Sequence, residues 1–471
     1  MAFIYGRNDV PVKPVKNSQI AVLILAAGSG TRMESDLPKA LHPICGRPML
    51  FHALRVASAL KPAAIGIVIG HQADLVKKAA TAMFKDCAIS KPPQFIFQKK
   101  LLGSGNAVLE ALPFLKKFKS VVVLCADTPL ITYESLYSLV QNHQAHSNLA
   151  TLLSAKLANP KGYGRVIRSP LGEFLKIVEE AVATPKEALV GEVNSGSYIF
   201  EVSALLDGLK EIGAKGEKKE HFLTDILEIL RSKGGRISAH LTPNSEEALG
   251  VNTRVQLAAA ERIMNRRILE RLMLSGVTIK DPGSVHIDCD VNIARDVVIE
   301  PFVIISGKSK IGKKTRIGAF SRLSNVEIGS ECEIEMSRLD SCRILEKSEI
   351  GPFSHIRPDS VVGPKARVGN FSEIKASRIG MGSKVSHLSY IGDAEIGDEV
   401  NVGAGTITCN FDGKKKNQTV VETGAFVGSN VNLVAPVKVG RYARIAAGST
   451  ITENVPAKAL AIARERQINK I

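Results

Sequence analysis

The sequence predicts two folds in series, an α/β domain on a mostly parallel sheet and a β-helix of hexapeptide repeats, with one helix between them. Three observations carry that reading. Apolar strand-like runs alternate with amphipathic stretches over residues 18–250. Residues 253–275 contain neither Gly nor Pro. From residue 277 onward, aliphatic side chains recur every six positions.

Taken in order, residues 1–17 (MAFIYGRNDVPVKPVKN) lack the apolar stretch of a signal peptide and are read as an N-terminal extension. Residues 18–250 carry IAVLILAA (20–27), AIGIVIG (64–70), QFIFQ (94–98) and VVVLCAD (121–127). Near-continuous apolar runs of this length are strands buried on both faces, as in a parallel sheet. Such folds bind phosphates at the carboxyl ends of their strands, beside helix N-termini. Residues 251–276 form the linker: a helix whose apolar stripe runs through Ala259, Ile263, Met264 and Leu274, stopped by Gly276. In residues 277–471, Val285, Val291, Val297 and Val303 stand six apart, as do Ile350, Ile356, Val362, Val368 and Ile374. A period of six fits neither an α-helix nor a hairpin; it fits a coil that turns one aliphatic inward per short strand. Flat outer faces suit side-by-side association, and a homotrimer is expected.

Composition narrows the function. The eight-residue run Ile20–Ala27 is the longest apolar stretch and is too short to span a bilayer, so no membrane partner is expected. The seven cysteines form no CxxC pair, which argues for a reducing cytoplasm and against a disulfide framework or structural zinc. A net charge of +16 could serve nucleic acid or phosphorylated small molecules. With 5% aromatic residues, no Trp and no nucleic-acid-binding signature, no nucleic acid is expected, and phosphate-rich metabolites are the better partners.

The chemistry of the first half begins with LILAAGSGTRMESDLPKALHPICGRPML (23–50). A strand runs into Gly28-Ser29-Gly30, whose backbone can approach a polyphosphate while Arg32 and Lys39 offset its charge. It is not a Walker A loop, nor a dinucleotide GxGxxG, since position 33 is Met. In the second half the polar intrusions into the repeat stand out: RPDS (357–360), EIKASRIG (373–380), SHLSYIGD (386–393), NVGAGTITCNFDGKKK (401–416) and FVGSN (426–430).

The string from Leu25 to Met49 resembles the signature of sugar-nucleotide pyrophosphorylases. Matching pieces follow in order: LGSGNA (102–107), CADTPLI (125–131), YGRV (163–166), IVEE (177–180), EVNSG (192–196), FLTDI (222–226) and GVNTR (250–254). With the repeat half, residues 18–465 resemble the bifunctional bacterial enzymes that make UDP-N-acetylglucosamine. Those join an N-acetylglucosamine-1-phosphate uridyltransferase to a glucosamine-1-phosphate acetyltransferase. The resemblance implies a Rossmann-like nucleotidyltransferase domain, a linker helix and a left-handed parallel β-helix. It implies Mg2+ as cofactor, and UTP, acetyl-CoA and glucosamine 1-phosphate as substrates.

It also implies roles. Leu25, Ala26, Ala27, Gly28, Gln98, Gly103, Ser104, Cys125 and Ala126 would line the uridine nucleotide, with Arg32 and Lys39 acting on the phosphates. Asp127 and Asn252 would hold Mg2+ through oxygen, as a hard cation requires, and Gly164, Glu179 and Asn194 would fix the sugar. In the second half Arg357 and Lys375 would clamp the sugar phosphate, and Tyr390, Asn401, Asn410 and Phe411 would contact the sugar or acetyl group. His387 would be the general base, the residue type suited to that task near neutral pH. Ala404, Ser429, Ala447 and Arg464 would line the coenzyme A channel.

The sequence departs from the family pattern at Cys125-Ala126, at Lys99-Lys100-Leu101, at Ala181-Val182 and at Phe411, where Tyr is usual. Only seven residues follow Arg464, a short tail to cover coenzyme A. Two other readings stand beside the bifunctional enzyme. One is a pyrophosphorylase for another sugar whose β-helix serves only assembly or regulation; the polar intrusions argue against it. The other is a non-catalytic assembly subunit, which should have lost Arg32, Lys39 or Asp127.

Overall fold

A computed structural model describes residues 19–89, 91–214 and 222–470, so the 1–17 extension lies outside the described residues. The chain separates into two compact units, Met1–Met264 and Asn265–Ile471.

The first unit is built on one sheet: β1 (Ile20–Leu25), β2 (Ala64–Ile69), β3 (Gln94–Phe97), β4 (Ser120–Cys125), β5 (Ala150–Lys156), β6 (Arg165–Arg168), β7 (Phe174–Val178), β8 (Glu192–Glu201) and β9 (Ile237–Leu241). Their order is β9-β5-β8-β4-β1-β2-β3, with β6 pairing β8 and β7. Strands β4, β1, β2 and β3 are mutually parallel, whereas β8 runs antiparallel to both β4 and β5. β1 lies centrally because IAVLIL has no polar side chain to place, and all but its last residue are buried. Helices cover the sheet; that over Tyr133–Ala145 starts where the Thr132 side chain accepts the Ser135 N–H. Between sheet and helices Leu23, Val121, Leu152, Phe200, Leu205 and Leu227 are wholly buried.

The linker helix spans Arg254–Leu274. Its buried side chains are Ala260, Met264, Ile268, Leu269 and Leu272, which corrects the expected stripe: Ala259 is exposed and Leu274 is 90% exposed. At about 100° per residue, positions 259 and 274 lie outside the arc that 260, 264, 268 and 272 share. Gly276 stops the helix at φ +94°, with the Val277 N–H bonded to the Leu272 carbonyl at 3.1 Å.

The second unit is a left-handed parallel β-helix of three sheets, with 11, 10 and 9 strands among the described residues. Ile287, Ile305, Leu323, Leu339, Ile356, Ile374 and Ile391 stack in register as an internal ladder. A second inward position lies two residues earlier. It is aliphatic in the first coils (Val285, Val303) and Ser in those that follow (Ser321, Ser337, Ser354, Ser372, Ser389). There the hydroxyl satisfies neighbouring backbone: Ser354 Oγ donates to the Gly369 carbonyl at 2.6 Å, and Ser337 Oγ accepts the Ser354 N–H at 3.1 Å. Corner residues take the left-handed conformation; two corner pairs, Phe302 with Phe320 and Phe353 with Phe371, stack nearly parallel. The ladder breaks once. Thr408 takes the inward place and bonds Gly392 N–H at 2.7 Å, and 25 residues separate it from its partner Leu433. The surplus forms a loop at 410–417.

Candidate active sites

In the first unit, the carboxyl ends of β1 and β4 lie side by side, tied by Ala126 N–H to the Leu25 carbonyl at 3.0 Å. Val251 N–H to the Asp127 carbonyl, 2.8 Å, brings Asn252 to the same end. Between them is a cavity of about 270 Å³. Leu25, Ala26, Gly28, Arg32, Lys39, Ala126, Asp127 and Asn252 line it, so these expected residues meet in one place.

The geometry depends on Gly30. Its φ is +64°, and a Cβ there would stand 2.6 Å from Lys39 Cβ. Glycine therefore lets the loop fold back until Lys39 reaches across the cavity. The Lys39 ammonium forms an ion pair with Asp127 Oδ2 and donates to Asn252 Oδ1 at 2.6 Å. Arg32 Nη2 donates to the same Asn252 oxygen at 3.1 Å. Arg254 fixes this loop from behind: Nε donates to the Met33 carbonyl at 3.0 Å and Nη1 to His42 Nδ1 at 3.2 Å. Burial first, and Arg254 second, lower the His42 pKa, consistent with a neutral acceptor ring.

The remaining expected residues form flanking clusters outside that cavity's lining. Buried Gln98 donates to the Gly103 carbonyl at 3.2 Å and to Asn106 Oδ1 at 2.9 Å. Ser104 Oγ accepts the Leu223 N–H at 3.1 Å. Asn194 N–H bonds the Gly164 carbonyl at 2.9 Å, and its amide donates to Tyr198 Oη at 2.7 Å. The register of β8 against β5 shifts between Asn194 and Tyr198, where Gly196 takes φ +77°. A Cβ at Gly164 would lie 2.9 Å from Ile177 Cγ2 and 3.3 Å from the Glu179 carboxylate, so glycine leaves room for both side chains. Burial raises the Glu179 pKa, a bond from Thr224 opposing it. Cys125 donates to the Gly196 carbonyl at 3.5 Å; burial, then Asp127, push its thiol up to about 12, so it stays neutral.

In the second unit, Arg357 Nη1 donates to Glu373 Oε1 at 2.7 Å, and Glu373 pairs in register with Tyr390. Lys375 ends the same strand. Lys375 holds the Lys416 ammonium below its ordinary pKa, Asp393 opposing, so two cations converge where an anion would be welcome. Asn410 is buried, its amide bonded to Asp393 Oδ2. The 410–417 loop is a tight turn around Asp412, which accepts the Lys414 and Lys415 N–H groups at 2.8 Å and Asn417 Nδ2 at 2.9 Å. Lys415 N–H, Asn417 and Lys414 N–H, in that order, hold the Asp412 carboxyl at about 2. Gly413 sits at φ +92°, and Phe411 is 63% exposed.

His387 is exposed, with Nδ1 2.5 Å from Asn370 Oδ1. Asn401 lies in the 11-stranded sheet of the second unit, in register between Lys384 and Phe426. The coenzyme A candidates climb consecutive coils: Ala404 carbonyl to Asn430 N–H at 2.7 Å, Ser429 carbonyl to Gly448 N–H at 2.8 Å, and Ala447 carbonyl to Arg464 Nη1 at 2.6 Å. Sequence reasoning missed Asn106, Arg254, Asn370, Glu373 and Asp393. Glu373 and Asp393 stood inside polar strings already singled out; Asn370 stood in an unbroken stretch of the repeat and gave no signal.

Residues 22–183 match the family described as the MobA-like NTP transferase domain. Over 95% or more of its length the chain is similar to curated proteins named bifunctional protein GlmU. That of Shouchella clausii is 45% identical over 95% of this chain and 97% of its own length. That of Caldanaerobacter subterraneus is 46% identical over 96% and 97%. That of Streptococcus thermophilus is 44% identical over 95% and 96%.

Proposed function

The chain belongs to the bifunctional GlmU family, and from that premise we propose which residues carry each of its two reactions. The enzyme acetylates glucosamine 1-phosphate from acetyl-CoA and transfers a uridylyl group from UTP to the product, giving UDP-N-acetylglucosamine and pyrophosphate. The observation that carries the partition is that each unit holds its own polar groups: Lys39, Asp127 and Asn252 converge in one, while Arg357 with Glu373, Lys375 with Lys416 and His387 with Asn370 pair across the coils of the other.

Uridylyl transfer proceeds by in-line displacement, in which an oxygen of the sugar phosphate bonds to the α-phosphorus of UTP as the bond to pyrophosphate breaks. No covalent nucleophile is needed, so positioning and charge neutralisation do the catalysis. Asp127 and Asn252 already turn oxygens toward a cation, the Lys39 ammonium, and such donors fit Mg2+. They would hold the metal, which when bound supplies charge neutralisation to the phosphates. Lys39 is then free for the phosphate oxygens, joined by Arg32. Leu25 to Gly28, Gln98, Gly103, Ser104, Cys125 and Ala126 hold the uridine side; Gly164, Glu179 and Asn194 hold the sugar.

For acetyl transfer, His387 takes a proton from the amine, whose nitrogen attacks the thioester carbonyl; the coenzyme A sulfur leaves with the electron pair of the broken C–S bond. Arg357, Lys375 and Lys416 face the sugar phosphate, Tyr390, Asn401, Asn410 and Phe411 the sugar and acetyl groups. Ala404, Ser429, Ala447 and Arg464 follow coenzyme A. The exposed corner column of Phe302, Phe320, Phe353, Phe371 and Leu388 supports association as a homotrimer. The seven cysteines form no disulfide, which suits a cytoplasmic enzyme, and no helix among the described residues is long and apolar enough to cross a membrane. The boundaries 18–250, 251–276 and 277–471 are kept as the functional division. The test is to supply glucosamine 1-phosphate, acetyl-CoA, UTP and Mg2+ and follow each half-reaction separately; acetyl transfer without nucleotide product would refute the first-unit assignment.

A further inference from the structure

We infer that Asn370 is the positioning residue of acetyl transfer, holding His387 in the tautomer whose Nε2 can accept a proton. This rests on the reading of His387 as the general base. A neutral imidazole carries one N–H, and which nitrogen bears it is set by the partner of the other. Asn370 Oδ1 lies 2.5 Å from His387 Nδ1, and an amide oxygen only accepts. The ring proton is therefore on Nδ1, and Nε2 presents a lone pair away from the protein contact. With the amide nitrogen turned to the ring instead, the proton would sit on Nε2 and the base would be blocked.

The surroundings make Asn370 suited to this task. It lies on the coil adjacent to His387, where its own carbonyl accepts the Leu388 N–H at 3.0 Å. The preceding residue, Gly369, allows the two coils to approach this closely, because a Cβ there would collide with the Ser386 carbonyl oxygen. The following residue, Phe371, is stacked on Phe353 at 5.3 Å with rings 7° from parallel. Backbone on both sides of Asn370 is thus fixed, and the residue is half-buried. An exposed His387 has no other side-chain hydrogen-bond partner among the described residues to choose its tautomer.

The test uses the full chain with 15N-labelled histidine, His387→Gln assigning the resonance, together with steady-state kinetics of both reactions. The wild-type imidazole should show Nδ1–H, and Asn370→Ala should move it to Nε2–H. Asn370→Ala should lower kcat of acetyl transfer about 10- to 100-fold, the usual cost of losing a partner that orients a functional group. The KM for glucosamine 1-phosphate should stay within about twofold and uridylyl transfer should be unchanged. Asn370→Asp, which keeps an acceptor in place, should restore most of the rate. A wild-type Nε2–H signal, an unchanged kcat, or an equal loss of uridylyl transfer would each overturn the inference. Full acetyl transfer by His387→Ala would instead show that the base assignment itself is wrong.

Discussion

The two units solve the same problem, holding phosphorylated sugar beside a charged co-substrate, with opposite construction. The first gathers its proposed site from distant parts of the chain: Lys39 meets Asp127 and Asn252 across 88 and 213 positions of sequence. The second gathers its proposed site from neighbouring coils, so that Arg357 meets Glu373, and Asn370 meets His387, across 16 and 17 positions. A sheet with helical crossovers places its chemistry where strand ends converge, and every contributing element must be in position at once. A stacked coil contacts only its neighbours, so a change in one coil is felt locally. Damage to either site should therefore stay within its own unit.

The sharpest way to break that separation is His387→Ala. Acetyl transfer should fall about 10²- to 10⁴-fold, as for loss of a general base, with uridylyl transfer intact. Next is Asp127→Ala, which should cost uridylyl transfer about 10²- to 10³-fold while sparing acetyl transfer. Pyrophosphate release at the wild-type rate would sink its metal role.

Stability should divide in the same way. Ile356 is wholly buried, paired in register with Leu339 and Ile374. Ile356→Ala should destabilise the second unit by about 2–5 kcal/mol in chemical denaturation. The uridylyl activity should survive at denaturant concentrations that abolish acetyl transfer; joint loss would show that the units unfold as one.

The smallest effect expected is with acid. Burial lowers the His52 pKa from 6.5 to about 3, and burial likewise lowers that of His143. The unfolded chain binds these protons below pH 6.5 while the folded unit refuses them. Stability is thus complete above pH 6.5 and declines as pH falls toward the folded values, by about 1 kcal/mol per pH unit for His52. The described histidines of the second unit, His286, His355 and His387, are not buried. On going from pH 7 to 5 the first unit should lose melting temperature relative to the second, and the reverse order would contradict this account.

The sequence exposed the two units unequally as well. In the repeat, one inward aliphatic per strand writes the fold directly into the spacing, and any polar string that interrupts it is visible. The break at Thr408 was legible for that reason, and the 410–417 loop follows from it. What stayed hidden there was a residue in phase: Asn370 breaks no period, and only the stacking of coils sets it beside His387. In the first unit β1 to β4 were plain from their apolar runs, whereas β5 to β9 mix polar with apolar side chains and were not singled out, and no spacing rule brings Asp127 to Asn252 or Arg254 to His42. The loop from Gly28 to Lys39 was noticed by its glycines, and the reason for Gly30, the approach of Lys39, emerged only in three dimensions. The linker stripe was misplaced because a helix with apolar residues on more than one face does not reveal which face packs until its neighbours are known. Ala259 and Leu274 are apolar yet outward.

The central claim, two independent sites on one chain, is tested most directly by mixing. His387→Ala and Asp127→Ala proteins are each given glucosamine 1-phosphate, acetyl-CoA, UTP and Mg2+, alone and together, and UDP-N-acetylglucosamine is measured. Either variant alone should form it about 100-fold or more slowly than the wild type, and the mixture far faster, because the acetylated product of one protein is the substrate of the other. A mixture as slow as its parts, or a single variant that completes both steps at the wild-type rate, would contradict the account.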